Sequence, residues 1–281
     1  GVFNYSNLDY PTKKVEPSWP PEDFGALTKD NAAEYMALLK EHITPDIQTL
    51  VEDYQGWNAV EAEWYNMMWR GGPNPGDPLD GRESIMNTQR GQIVPNYSWA
   101  AGHQPKPKWI QNFGVIYYNK TAAYTLGQVW KDPFDPDFAA MNFEPGAIVV
   151  KVEAVTVQPE EWPWDEEPSV DSVIARAPSW KTFRPSTQNQ KDHFEDPTTP
   201  LVTAVQTVYP FQLAIKVKDP IASPQTGWVF MGFVYDARVN SDSAWDRYIA
   251  AGMMWGNDPN HRRGEGELRK LGLIRTRPNL S

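Results

Sequence analysis

The stretch 226–236 constrains the fold of this chain more than any other part of the sequence. It reads Thr-Gly-Trp-Val-Phe-Met-Gly-Phe-Val-Tyr-Asp, so both faces of an extended strand would be apolar, with Trp228, Phe230 and Val234 on one of them. A strand without a polar face is covered on both sides, and we predict a central strand of a sheet. Gly232 at its middle indicates a bulge, or a place where a ligand or another backbone comes close.

A period of two residues, typical of strands, runs through much of the chain after residue 92. Candidate strands cover 93–94, 113–119, 125–130, 146–157, 202–208, 211–218 and 227–236. In 147–155 and 211–218 apolar residues alternate with polar ones, which indicates an antiparallel sheet with one face exposed to water. The sheet is therefore predicted over residues 92–236.

The first seventy residues have helical spacing instead. One helix is expected to begin at Thr28, a second to restart with Pro45 at its first position, and a third to run from about Asn58 to Trp69. The predicted fold class is α+β. A helical layer over 28–70 packs on a mostly antiparallel, curved sheet or a partly open β-barrel with long loops rich in Trp and Pro.

Residues 28–260 are expected to form a single domain between two segments of different composition. Residues 1–27 hold prolines among aromatic residues, and we predict an extended aromatic arm that lies along the body of the protein. Residues 261–281 form a basic tail that lies on the acidic body, binds another subunit, or is solvated. The Pro-rich stretches 70–80 and 158–200 are predicted loops.

Charge and cysteine content exclude several functions. The chain has 36 acidic and 26 basic residues, a net charge of −10, so a nucleic-acid interface is not expected. No run of 18 apolar residues exists, so no membrane span is expected. Without cysteine, the chain has no disulfide, thiolate metal ligand or Cys nucleophile. Its richness in Trp, Tyr, Asn and Pro favours a periplasmic or secreted location.

Five blocks of sequence follow one another between residues 81 and 259. They are Gly-Arg-Glu at 81–83, Tyr-Asn at 118–119 with Tyr-Thr-Leu-Gly-Gln-Val-Trp at 124–130, Pro-Gly-Ala-Ile-Val-Val-Lys at 145–151, the run at 226–236, and Gly-Met-Met-Trp-Gly-Asn-Asp-Pro at 252–259. In that order they resemble exported bacterial proteins loosely named cytochrome c family proteins, over roughly 60–260.

The resemblance implies an extracytoplasmic location. In relatives that carry a Cys-x-x-Cys-His segment after the shared body, it also implies an association with a redox system. This chain lacks cysteine, so no cofactor is expected within it, and haem is expected only in longer relatives.

Charged side chains near a Gly-rich loop and within a strand are candidates for ligand binding. Arg82 and Glu83 follow the loop, and Arg82 with Arg90 can hold a carboxylate or phosphate, or only brace the loop. Lys151 lies alone in an apolar strand. If buried, it could act as a base or an imine-forming nucleophile; on a wet face, it would pair with Glu153 or another acid.

Two aromatic segments add further candidates. Trp255, Asn257 and Asp258 occupy one predicted turn, which can line a polar pocket, hold a cation, supply an acid/base pair, or only form an Asx-turn. Trp99 and His103 stand in an aromatic loop. The four histidines lack metal-ligand spacing, so no metal site is expected.

Three functions remain open from the sequence. The first is an extracytoplasmic ligand-binding or accessory module, with an aromatic-lined cleft formed by 70–103, 158–200 and 252–259 for a small-molecule, sugar-like or aromatic ligand. The second is an enzyme of unknown class that uses Arg82, Glu83, Lys151 and Asp258, although no motif of a known catalytic class occurs. The third is a structural subunit that binds a protein partner through the arm or the basic tail.

Overall fold

The computed structural model describes residues 9–21, 24–67, 88–95, 109–132, 134–157, 173–224 and 226–255. Within these ranges the main elements are α1 (Ala32–Glu52), β1 (Gln89–Pro95), β2 (Trp109–Tyr118), α2 (Lys120–Val129), β3 (Ile148–Val155), β4 (Trp180–Pro185), α3 (Thr187–Glu195), β5 (Thr203–Lys218), β6 (Trp228–Tyr235) and β7 (Tyr248–Trp255). The strands pair antiparallel in the order β1-β2-β3-β5-β6-β7, and β4 pairs with the first part of β5. The α+β class is confirmed, and the described sheet is not closed.

Helix α1 packs across one face of the sheet, which we call the inner face. Its buried residues recur at helical spacing: Tyr35, Met36, Leu39, Ile43, Ile47, Leu50 and Val51. They join the inward-facing residues of β2, β3, β5 and β6 in one core. Full burial of one such side chain contributes about 1.5–3 kcal/mol, so the stripe holds the helix on the sheet. We call the opposite face of the sheet the outer face.

The helical region differs from the predicted one in two places. Pro45 lies inside α1, which continues through it without restarting. The proline removes one backbone hydrogen bond, but Ile43 and Ile47 on either side are buried, and their packing outweighs that loss. The third predicted helix, from Asn58, is wrong where the chain is described, because residues 59–63 form turns and Glu63 has a φ of 52°.

The predicted strands are correct in part. Residues 125–130, predicted as a strand, lie in or just after α2, which begins where the Asn119 side chain accepts a hydrogen bond from the Ala122 amide. The small apolar residues of α2 are compatible with the period of a strand and with that of a helix. The Asn119 cap favours the helix. The candidates 202–208 and 211–218 are one strand, β5, with a bulge near Pro210. β4 and β7 occupy stretches where a loop and a turn are predicted.

Strand β6 lies between β5 and β7, but only its inner face is fully buried. The buried residues are Val229, Met231, Phe233 and Tyr235, and the half-buried ones are Trp228, Phe230, Gly232 and Val234. The predicted cover on both faces is therefore complete on the inner face, where α1 packs, and partial on the outer face, where Phe143 packs against Trp228. The bulge predicted at Gly232 is present, because the β6–β7 register shifts between Gly232 and Phe233.

The described part of the N-terminal arm is tied to the body by a buried chain of hydrogen bonds. The Trp19 indole donates to the Tyr35 hydroxyl at 3.1 Å, and this hydroxyl donates to the Asp219 carboxylate at 2.6 Å. We call these three residues the clasp. Gly146, with a φ of 83°, leaves room for the arm, because a Cβ there would lie 2.5 Å from the Trp19 carbonyl oxygen. Within the described ranges, no helix is long and apolar enough to cross a membrane.

Candidate functional site

The outer face of the sheet has a row of positions with almost no side chain. Strand register places Ala214 of β5 opposite Gly232 of β6, and Gly232 opposite Gly252 of β7. Lys151 of β3 continues the row, because it is opposite Ala214. Because directly opposed residues of antiparallel strands share a face, these small residues form a shallow depression across three strands.

Apolar side chains stand on both sides of this row. Phe230 is opposite Met254 on one side, and Val234 is opposite Ile249 on the other. Met254 is 45% exposed and Ile249 is 40% exposed, whereas Phe230 and Val234 are half-buried. Phe230 and Val234 are four residues apart, so their Cα atoms are about 13 Å apart along the strand. We call this site the outer trough. Its walls are these four apolar side chains, and its floor is Ala214, Gly232 and Gly252.

Gly232 has no packing reason to be glycine within the part of the chain that is described. A Cβ built there would meet nothing within 4 Å, and its φ is not positive. Gly227 differs, because its φ is 68° and a Cβ would lie 2.6 Å from the Lys218 ammonium. Glycine inside a strand costs about 0.5–1 kcal/mol relative to alanine. The space above Gly232 therefore admits a close approach to the backbone by another molecule.

A cationic group borders the trough at β3 and β5. Lys151, Lys216 and Lys218 share the outer face of these strands with one acidic side chain, Glu153. Lys151 forms an ion pair with Glu153, which also accepts a hydrogen bond from the Asn112 amide at 3.1 Å. This positive group contrasts with the net charge of −10 of the whole chain. On these two strands the three lysines outnumber the one carboxylate, which favours an anion as a partner there.

The other two lysines differ in their contacts. The Lys218 ammonium lies 5.6 Å from the centre of the Trp228 ring, a cation–π contact. Trp228 in turn packs edge-on against Phe143, with ring centres 5.5 Å apart. Lys216 is half-buried, opposite Phe230, and forms no hydrogen bond or ion pair with a described residue. Its ammonium is therefore the one most available to a ligand.

Three of the residues singled out in the sequence lie within the described ranges, and they do not converge. Lys151 is on the outer face, whereas Trp255 packs against the inner-face core at the end of β7. Arg90 is exposed on β1, opposite Phe113, at the other edge of the described sheet. The remaining candidates lie outside the described residues: Arg82, Glu83, Trp99, His103, Asn257 and Asp258.

The geometry around Lys151 does not favour the enzyme hypothesis. That hypothesis places its amine in a cavity beside several carboxylates. The amine instead contacts Glu153 on a half-exposed face, which is the alternative that strand alternation predicts. An amine engaged by a carboxylate is not directed at a substrate carbonyl, so an imine-forming role has no support from its contacts.

A buried polar network on the inner side has no counterpart in the sequence predictions. The hydroxyls of Thr88 and Thr182 are 2.8 Å apart, and the Arg184 guanidinium donates to the Thr88 carbonyl at 3.2 Å. The side-chain amides of Gln111 and Gln190 hydrogen-bond each other. Threonine and glutamine do not exchange protons near neutral pH, so this network joins β1, β2, β4 and α3 and does not supply acid–base chemistry. The only signal in the sequence is the polar alternation at 182–184.

In the described part of the chain, no group of three or more His, Cys, Asp or Glu residues is placed to hold a metal ion. In comparisons with known proteins, no family model, curated protein or solved structure matches the chain. The resemblance to the cytochrome c family proteins therefore stays a prediction, and the outer trough has to be interpreted from its own geometry.

Proposed function

We propose that this chain is an extracytoplasmic binding module that holds an apolar small molecule in the outer trough. The observation that carries the proposal is the open space above Gly232 between half-buried apolar walls. Small-molecule sites are concave and mostly apolar, and they are most precise on strands or helices of a rigid scaffold. The extracytoplasmic location rests on the resemblance and on composition.

The trough favours an apolar ligand over the sugar-like ligand suggested by the sequence. Sugar hydroxyls need several convergent hydrogen-bonding groups, because an unpaired hydroxyl in a buried site costs about 1–3 kcal/mol. The floor and walls of the trough offer only hydrocarbon and one thioether. The polar groups stand at one end, where Lys151 and Lys216 lie.

The apolar area that a ligand buries sets the tightest affinity to expect. A ligand that buries about 400 Å² of apolar surface, counting both partners, gains about 10 kcal/mol. Loss of translational and rotational freedom costs at least about 4 kcal/mol. At most about 6 kcal/mol remains, which corresponds to a dissociation constant of tens of micromolar or weaker.

Fluorescence of N-phenyl-1-naphthylamine, an uncharged apolar probe, tests the proposal. We expect saturable binding to the wild-type chain, and at least a tenfold weaker binding to Gly232→Ile, which fills the trough. Val205→Ile is the matched control, because Val205 is 59% exposed on β5, outside the trough. Isoleucine also suits a strand better than glycine does, so Gly232→Ile should fold at least as stably as the wild type. Unchanged probe binding in a folded Gly232→Ile variant would refute the proposal.

A further inference from the structure

We infer that the ligand of the outer trough is a monocarboxylic acid with an apolar chain, and that Lys216 binds its carboxylate. This inference rests on the proposed function, since it specifies the ligand of the same site. The inference adds an acid group to the apolar ligand and assigns the ligand an orientation in the trough. The chain lies over the glycines of β6 and β7, and the acid group lies at β3 and β5.

Strand register makes two lysines neighbours, and of these two only Lys216 lacks a carboxylate partner among the described residues. Lys151 is opposite Ala214, and Lys216 is opposite Val149, so the lysines are diagonal neighbours across the β3–β5 pair. Diagonal neighbours in an antiparallel pair are about 7–8 Å apart. The Lys151 side chain leans the other way, because its Cε lies 3.0 Å from the position of a Cβ on Gly114 of β2 and its ammonium contacts Glu153. Lys216 is therefore the lysine that remains for a carboxylate.

Both lysines are also next to the floor of the trough. Ala214, its first floor residue, lies opposite Lys151 and two positions from Lys216 on β5. One strand separation, about 5 Å, brings a ligand from Ala214 to Gly232, and a second brings it to Gly252. A chain about 10 Å long therefore covers the floor while its end group remains beside Lys216.

The charges at this end favour an anion over a neutral group. The outer face of β3 and β5 carries three lysines and only one acidic residue, Glu153. The Glu153 carboxylate already contacts Lys151 and Asn112. Lys216 has no acidic partner among the residues that the structure describes, while Lys218 is placed over Trp228. A carboxylate on the ligand would accept a charge-assisted hydrogen bond from the Lys216 ammonium.

Displacement of N-phenyl-1-naphthylamine by decanoate and by decan-1-ol tests the inference, since these molecules share a chain and differ in the charge of the head group. At pH 7 and low salt, we expect decanoate to displace the probe from the wild type at about one tenth of the decanol concentration. In Lys216→Gln the two should become equal, whereas Lys216→Arg should retain most of the preference. Lys181→Gln, an exposed lysine of β4, is the matched control.

The outcomes separate this inference from the proposed function. Equal displacement by decanoate and decanol in the wild type would overturn the assignment of the acid group, while the trough would stand as a site for neutral ligands. A preference for decanoate that persists in Lys216→Gln would place the acid elsewhere and would also overturn it. Probe binding that is insensitive to Gly232→Ile would instead refute the proposed function itself.

Discussion

Deleting the hydroxyl from each of two buried tyrosines should change the stability of this protein in opposite directions. Tyr35 of α1 is 0% exposed and Tyr248 of β7 is 1% exposed, so Tyr→Phe removes the same atom from similar surroundings. The Tyr35 hydroxyl donates to Asp219 at 2.6 Å and accepts from Trp19 at 3.1 Å. Burial, followed by the hydrogen bond to Asp219, raises the pKa of Tyr35 above its ordinary value, which keeps the hydroxyl a neutral donor. No described residue hydrogen-bonds the Tyr248 hydroxyl.

The expected magnitudes follow from these contacts. Tyr35→Phe removes a hydrogen bond to a carboxylate, worth about 1.5–3 kcal/mol, and leaves the buried Trp19 indole unpaired at a further cost of about 1–3 kcal/mol. Asp219 retains the amides of Ile221 and Ala222, which limits the loss. We expect the free energy of unfolding to fall by about 3 kcal/mol. Tyr248→Phe removes a desolvated hydroxyl without a partner and should raise that free energy by about 1 kcal/mol.

Urea unfolding followed by tryptophan fluorescence and by circular dichroism measures both changes, provided that the dependence on urea is unchanged. The double variant should show the sum of the two single changes, because no described hydrogen bond or ring contact joins the two tyrosines. A loss below about 1 kcal/mol in Tyr35→Phe would refute the clasp as an energetic link between arm, helix and sheet. A loss of stability in Tyr248→Phe would show that its hydroxyl has a partner.

Three further expectations concern other contacts. Burial opposes ionisation of Glu52, but hydrogen bonds from Ser243 and from the Trp245 backbone outweigh it and lower the pKa of this carboxyl from its ordinary value of 4.5. The resulting stabilisation is complete above pH 4.5 and is lost as pH falls through the lower folded value. The stability advantage of the wild type over Glu52→Gln should therefore shrink in that range of an acid titration, and a constant difference would contradict it. Pro45→Ala restores a donor to the exposed side of α1 and should raise the free energy of unfolding in urea by about 1–3 kcal/mol; a decrease would show that the ring itself stabilises the helix. Gly146→Ala places a Cβ 2.5 Å from the Trp19 carbonyl oxygen at a φ of 83°. It should cost about 2–4 kcal/mol and speed proteolysis of the arm, whereas wild-type protection would argue against the docking of the arm.

The spacing of apolar residues predicted those parts of the fold that depend on residues close together in the sequence. The alternation in 147–155 and 211–218 predicted β3 and much of β5 because a strand exposes every second side chain to the same environment. The run 226–236 predicted β6 for the same reason. The spacing of Tyr35, Leu39 and Leu50 predicted helix, although not that one helix would continue through Pro45. That continuity depends on packing against the sheet, which no local window contains.

The tertiary structure alone decided the candidate site. Ala214, Gly232 and Gly252 are separated in sequence by about twenty residues each, and each is an ordinary small residue in its own strand. Only the pairing of β5 with β6 and of β6 with β7 aligns them in one row, because a shift of one residue would turn the row to the other face. The same register placed Lys151 beside Lys216 and away from Trp255. Side-chain type is a property of the sequence, whereas which side chains share a face across strands is a property of the register.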